Sequence, residues 1–92
     1  MTEIDTQIVD SIHKAQADKK AIIGAKVTLK KLRAGALDKI FLASNVAEVL
    51  EEDITYYASM TNIEVIKLPA LAEELSIVCK KPFFITVIGI AK

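Results

Sequence analysis

Residues 24–33 combine a glycine with regularly spaced basic side chains, a pattern suited to holding anions. Residues 22–23 are isoleucines, which are typical of a strand, and the residues after Gly24 have helical spacing. Gly24 therefore lies between a predicted strand and a predicted helix. Glycine permits close approach of another backbone, and the first turn of a helix offers unpaired N–H groups to an anion. Lys26, Lys30 and Arg33 follow at spacings that place them on one helix face. The pattern predicts contact with the phosphates of RNA; an ordinary solvated helix face is the alternative.

Charge is unevenly distributed along the chain. The 12 basic and 12 acidic residues cancel, which by itself argues against a nucleic-acid binder. Residues 14–39, however, hold eight lysines and arginines against two aspartates, and residues 40–79 hold one lysine against seven acids. This asymmetry predicts an electropositive side if the fold keeps the two segments apart. Charges distributed only for solubility are the alternative.

Length and composition indicate one small domain, residues 1–92, with 52% apolar residues to form its core. The single cysteine, Cys79, excludes an internal disulfide and a cysteine-based zinc site, and fits a reducing, cytoplasmic setting. No secretory signal is visible, and the longest uncharged run, residues 82–91, is too short to span a membrane as a helix. We expect no membrane partner.

Catalytic motifs are missing from the sequence. There is no phosphate-binding loop with lysine and serine, no nucleophile elbow and no histidine pair at metal spacing. His13 has no acidic partner that the sequence can place, and the acidic residues 51–53 and 73–74 suit helix starts, where the helix dipole favours them. We therefore expect no enzymatic activity, no cofactor and no metal.

Hydrophobic spacing predicts alternating helices and strands. We expect helices over residues 2–17, 26–34, 49–60 and 69–78, and strands over residues 21–23, 39–43, 64–68 and 84–90. Thr2 or Asp5 can cap the first helix, Gly35 the end of the second, and Asn62 is a left-handed stop for the third. The alternation predicts a three-layer α/β/α sandwich with a mixed four-stranded sheet.

Several short motifs occur together in a recognisable order. They comprise Gly24-x-Lys26-x-Thr28-x-Lys30, residues 39–45, residues 53–58, Glu74-Leu75 and Lys81-x-Phe83. Together they resemble the kink-turn RNA-binding superfamily of ribosomal proteins, most of all its L30e branch, with L7Ae as a cousin. The resemblance covers residues 8–90. It implies an α/β/α sandwich in which three loops grip a sharply bent RNA internal loop with sheared G·A pairs.

Carried onto this chain, the resemblance places the three loops at residues 24–30, 43–46 and 80–83. The candidate RNA-binding residues are Gly24, Ala25, Lys26, Thr28, Lys30, Arg33, Ser44, Asn45, Lys80, Lys81, Pro82 and Phe83. Lysines can neutralise phosphates, and Asn45 offers donors and an acceptor to a base edge, or is simply a turn residue. Phe83 can stack on an unpaired base, with its neighbour Phe84 inside the core.

Three positions depart from the family pattern. Val27 stands where the L7Ae branch has a glutamate, Leu50 stands where L30e relatives place a basic residue, and Cys79-Lys80 replaces a turn that contains glycine. The resemblance still implies a structural constituent of the large ribosomal subunit, monomeric when free, with ribosomal RNA and ribosomal proteins as partners. The alternatives are a kink-turn binder of another ribonucleoprotein or RNA-processing complex, and a protein-interaction module that uses the acidic residues 48–53 and 73–74.

Overall fold

Four helices alternate with four strands in the computed structural model, which describes residues 6–92. The elements in chain order are α1 (Thr6–Ala17), β1 (Ala21–Ile23), α2 (Ala25–Arg33), β2 (Leu37–Leu42), α3 (Glu48–Thr61), β3 (Glu64–Lys67), α4 (Ala72–Val78) and β4 (Val87–Ala91). The predicted number, type and order of elements are confirmed. The predicted caps Thr2 and Asp5 lie outside the described residues.

The sheet has the strand order β1-β4-β2-β3. Strand β4 runs antiparallel to both β1 and β2, and β2 runs parallel to β3. The sheet is therefore mixed, as predicted.

Helices cover both faces of the sheet. Phe41 points to the face covered by α1 and α4, where it packs in one core cluster with Ile12 and Leu75. Its neighbour Ile40 points to the other face, where it packs in a second cluster with residues of α2 and α3 such as Leu32. Because successive side chains of a strand point to opposite faces, a strand covered on both sides is continuously apolar. The predicted three-layer α/β/α sandwich is confirmed.

Left-handed residues end two of the helices as predicted. Gly35 (φ 70°) follows the end of α2, its N–H donates to the Leu32 carbonyl at 3.0 Å, and the N–H of Ala36 donates to the Lys31 carbonyl at 3.0 Å. This pair of bonds is a Schellman motif. Asn62 ends α3 with φ 57°.

Two predicted boundaries are wrong. Helix α4 begins at Ala72 rather than at residue 69, because the carbonyl of Ala70 accepts a hydrogen bond from Ser44 and Leu71 is still extended. Strand β4 begins at Val87 rather than at residue 84. The N–H of Ile85 donates to the carbonyl of Ala72 at 3.3 Å, so the backbone at Ile85 is bonded to the start of α4 instead of to a neighbouring strand.

Candidate functional site

Two of the candidate loops, and the segment that follows the third, lie at one edge of the sheet. Strands β1, β2 and β3 end at this edge, and β4 begins there, because β4 is antiparallel to its two neighbours. The N–H of Gly24 donates to the carbonyl of Val87 at 3.2 Å, and the N–H of Ala43 donates to that of Thr86 at 2.9 Å. These bonds hold the segments after β1 and β2 against the segment that leads into β4. The name loop edge denotes the three predicted segments, residues 24–30, 43–46 and 80–83, of which these bonds join the first two to the start of β4.

The start of α2 is open to an external anion. Gly24 is its N-cap, with φ 113° and ψ 142°, and no side chain caps the helix. The N–H groups of Ala25, Lys26 and Val27 have no partner within the described part of the chain, and the first turn of α2 contains no acid. Unpaired N–H groups and the positive end of the helix dipole together attract anions.

Helices α3 and α4, which also begin at this edge, carry their own acids. Glu48 and Glu51 lie in the first turn of α3, and Glu73 and Glu74 lie in that of α4. The Glu74 carboxylate also accepts a hydrogen bond from the N–H of Leu71 at 3.3 Å. These carboxylates supply the negative charge that a helix N-terminus favours, so α3 and α4 are less open than α2 to an anion from outside.

The basic residues of α2 extend along the whole helix. Lys26 and Lys30 are exposed in its first two turns. Arg33 is the last residue of α2, about 12 Å along the axis from the first at 1.5 Å per residue. Its guanidinium lies 5.3 Å from the ring centroid of Tyr57 on α3, a cation–π contact. Arg33 therefore shares a helix face with Lys26 and Lys30, as predicted, but it lies at the end of α2 away from Gly24 and contacts Tyr57; its role in RNA binding stays a prediction.

Thr28 cannot contact RNA with its side chain. It is fully buried, and its hydroxyl donates to the carbonyl of Ile22 at 3.4 Å. Its methyl group faces Gly89 of β4, where an added Cβ would lie 3.1 Å from Thr28 Cγ2. The prediction of Thr28 as a binding residue is corrected: it packs α2 against the sheet.

Asn45 connects the second loop to the start of α4. Ser44 and Asn45 are exposed, between the buried residues Ala43 and Val46. The Asn45 side-chain oxygen accepts a hydrogen bond from the N–H of Ala72 at 2.9 Å. The predicted acceptor for a base edge is thus already engaged within the protein. The two N–H donors of the Asn45 amide have no partner within residues 6–92.

The turn after α4 forms without the glycine of the family pattern. Lys80 itself adopts the left-handed conformation (φ 57°). Its N–H donates to the Ile77 carbonyl at 3.1 Å, and the N–H of Lys81 donates to the Ser76 carbonyl at 2.9 Å. These two bonds make the same Schellman motif that ends α2. The third loop therefore begins with two exposed lysines in a defined turn.

Two phenyl rings, rather than one, are exposed at the third loop. Phe83 is 51% exposed and Phe84 is 71% exposed, so the prediction that Phe84 is in the core is wrong. The prediction assumed a strand, in which neighbours point to opposite faces, but this segment is irregular. Pro82 was the available signal, because proline removes a backbone donor and restricts the residue before it. Phe84 is therefore a second exposed ring at the third loop, which the hydrophobic pattern did not predict.

Side chains of α1 secure the end of α4. The His13 Nε2 atom hydrogen-bonds the Val78 carbonyl at 2.9 Å, and the Gln16 amide donates to the Cys79 carbonyl at 3.0 Å. The last carbonyls of a helix lack partners within it, so these bonds satisfy them and fix where the third loop begins. Burial raises the pKa of the Cys79 thiol, and the nearby charge of Lys81 partly opposes this shift. Cys79 is a buried apolar side chain, as predicted.

Within residues 6–92 no group of histidine, cysteine, aspartate or glutamate side chains could hold a metal ion. Among the described helices, none is long and apolar enough to cross a membrane.

Comparison with known proteins identifies relatives over most of the chain. It is 37% identical over 71 residues to large ribosomal subunit protein eL30 of Sulfurisphaera tokodaii, a match that covers 77% of this chain and 67% of the relative. It is 42% identical over 64 residues to the eL30 protein of Methanocaldococcus jannaschii, and this match covers 70% of this chain and 58% of the relative. The matched part is thus between about half and two thirds of each relative's length.

Solved structures share the fold at low sequence identity. A protein of unknown function from Bacillus halodurans C superposes with a TM-score of 0.85 at 15% identity, over 96% of this chain and 87% of that one. The 15.5kD RNA binding protein of Giardia lamblia superposes with a TM-score of 0.78 at 15% identity, over 92% of this chain and 71% of that one. A family model matches residues 6–92, so the chain belongs to the ribosomal protein L7Ae/L30e/S12e/Gadd45 family.

Proposed function

We propose that this chain is an RNA-binding constituent of the large ribosomal subunit and that its loop edge binds a kinked internal loop of ribosomal RNA. Support comes from the family match, from relatives named large ribosomal subunit protein eL30, and from the fold shared with an RNA-binding protein. In this proposal residues 1–92 act as one non-catalytic domain without a cofactor. The chain is a monomer when free and joins ribosomal proteins in the cytoplasmic ribosome.

The observation that carries the proposal is the open start of α2 beside exposed lysines. The unpaired N–H groups after Gly24 are fixed donors for one phosphate, and Lys26 and Lys30 supply mobile positive charge to the next ones. A regular A-form duplex presents a smoothly spaced backbone and a major groove too narrow to enter. A sharp bend instead brings phosphates close together, where a compact cluster of donors meets several of them.

In this proposal the second and third loops contact the bases. The free amide donors of Asn45 can reach an acceptor on a base edge, and Phe83 can stack under a base that has left the helix. Unstacked bases are the usual targets of sequence-specific RNA recognition. The combination therefore favours a structured internal loop over a plain duplex.

Titration of the protein with a kink-turn hairpin and with a straight duplex of matched length tests this proposal. We expect tighter binding to the hairpin at moderate salt, and weaker binding with a shallower salt dependence for the K26A/K30A variant, whatever the hairpin sequence. Equal affinity of the wild-type protein for both RNAs would count against it.

A protein-interaction module is the second candidate, and an acidic hollow favours it. Glu48, Glu51, Glu52, Thr55 and Tyr56 of α3 line a hollow of about 500 Å³. A basic partner segment is the complement of such a surface. The same titration separates the two candidates, because an interaction module has no preference for bent RNA. A preference for kink-turns outside ribosomal RNA would instead indicate another ribonucleoprotein.

A further inference from the structure

A second basic surface lies at the sheet edge opposite the loop edge. A groove of about 360 Å³ opens there between α1 and the ends of the strands. Its charged lining residues are Lys14, Lys20, Lys39, Lys92, Asp18 and Asp38. Lys20 directly precedes β1, and Lys92 directly follows β4. Strand β2, with six residues, spans about 17 Å at 3.3 Å per residue, so the groove and the loop edge are separate surfaces.

The lysines of the groove are available to a ligand. Lys14 and Lys20 are exposed, and Lys39 is half-buried. Within residues 6–92 an ion pair joins Lys67 to Glu51, and neither of these residues lines the groove. Asp18 and Asp38 form no ion pair with a lysine of the groove in that range. Four lysines therefore line a cavity without forming an ion pair with its two aspartates.

We infer that this groove binds the backbone of a second RNA segment. The lysines are donors and positive charges for phosphodiesters. The two carboxylates would repel a bare anion, but each accepts a hydrogen bond from a hydroxyl group, and the RNA backbone carries a 2′-hydroxyl beside every phosphate. The mixed lining thus matches a chain of alternating phosphates and hydroxyls. With both surfaces occupied, the protein connects two RNA segments across its sheet.

The test uses an RNA duplex of about twelve base pairs without a bend, because it presents phosphates and 2′-hydroxyls but no kink. The affinity of the free protein for this duplex is measured for the wild type, for K14Q/K20Q and for K31E. Lys31 is exposed on α2, outside the groove lining. Both variants lower the net charge by two, so the K31E variant controls for the general effect of charge.

We expect K14Q/K20Q to weaken duplex binding about tenfold at low salt and K31E to change it less than about twofold. The wild type should bind a DNA duplex of the same sequence more weakly than the RNA. An equal effect of the two variants, or equal affinity for DNA and RNA, would overturn the inference. The K26A/K30A variant, which lowers the net charge by the same two units, distinguishes the two surfaces: K14Q/K20Q should weaken duplex binding more than K26A/K30A does, and the reverse order would place duplex binding at the loop edge instead.

Discussion

The side-chain oxygen of Asn45 lies 2.9 Å from the backbone nitrogen of Ala72 and accepts its hydrogen bond. This bond ties the loop after β2 to the first turn of α4. The carbonyl of Ala72 in turn accepts a hydrogen bond from Ile85, in the segment that leads from the third loop into β4. Two of the three loops that form the proposed RNA surface are therefore connected through Ala72. A residue suited to base contact is also part of the framework that positions the site.

Two substitutions at Asn45 separate these roles. Asn45→Asp keeps the acceptor for the Ala72 N–H, so the free energy of unfolding should not change. It replaces the amide donors with a negative charge, so the affinity for a kink-turn hairpin should fall. Asn45→Ala removes the bond and should also lower the free energy of unfolding by about 1 kcal/mol. Denaturant titration and hairpin binding measure the two effects. An Asn45→Asp variant that binds like the wild type would remove the amide from the proposed interface.

Lys80 adopts the left-handed conformation, which costs a residue with a Cβ more than it costs glycine. A residue with a Cβ in the left-handed region costs about 1 kcal/mol, so Lys80→Gly should raise the free energy of unfolding by about that amount. The same change removes a positive charge at the loop edge and should reduce the slope of log affinity against log salt for the hairpin by about 1.

Lys19 offers the matched control for that variant. It adopts the same conformation (φ 59°) after α1, at the opposite edge of the sheet. Lys19→Gly should give a similar gain in stability with no change in hairpin affinity. If both variants change hairpin binding alike, Lys80 has no special place in the interface.

Gly89 allows α2 to approach the sheet closely. A Cβ at this position would lie 3.1 Å from Thr28 Cγ2 and 3.2 Å from Leu37 Cδ1. Gly89→Ala should therefore destabilise the protein by about 1–3 kcal/mol through overpacking. Adding Thr28→Ser, which removes the crowded methyl group, should recover part of the loss in thermal or chemical unfolding. No recovery in the double variant would show that the strain lies elsewhere.

The exposed ring of Phe83 predicts an effect on binding without an effect on folding. Phe83→Ala should change the free energy of unfolding by less than about 0.5 kcal/mol, since little packing is lost. It should weaken binding by about 1–3 kcal/mol, and only to RNAs that have an unstacked base. An equal loss on a straight duplex would argue against stacking.

Periodicity predicted the layers well because both faces of the sheet are covered, so Ile40 and Phe41 both had to be apolar. Thr28 and Phe84 were misjudged for opposite reasons. A threonine among lysines on a short helix gives no sign that Gly89 lies beneath it, which only the tertiary structure shows. A phenylalanine beside an apolar strand is normally buried. Here the backbone after Pro82 is irregular, and Ile85 bonds to Ala72 at the start of α4 before the chain enters the sheet.

In the proposed function, three separate segments form one RNA surface. Amide chemical-shift mapping of the isotope-labelled protein with one equivalent of a kink-turn hairpin shows whether they do. We predict simultaneous shifts in residues 24–30, 43–46 and 80–83, with the amides of residues 25–27 among the largest. Shifts confined to the acidic face of α3, or to only one of the three segments, would rule out a shared RNA surface.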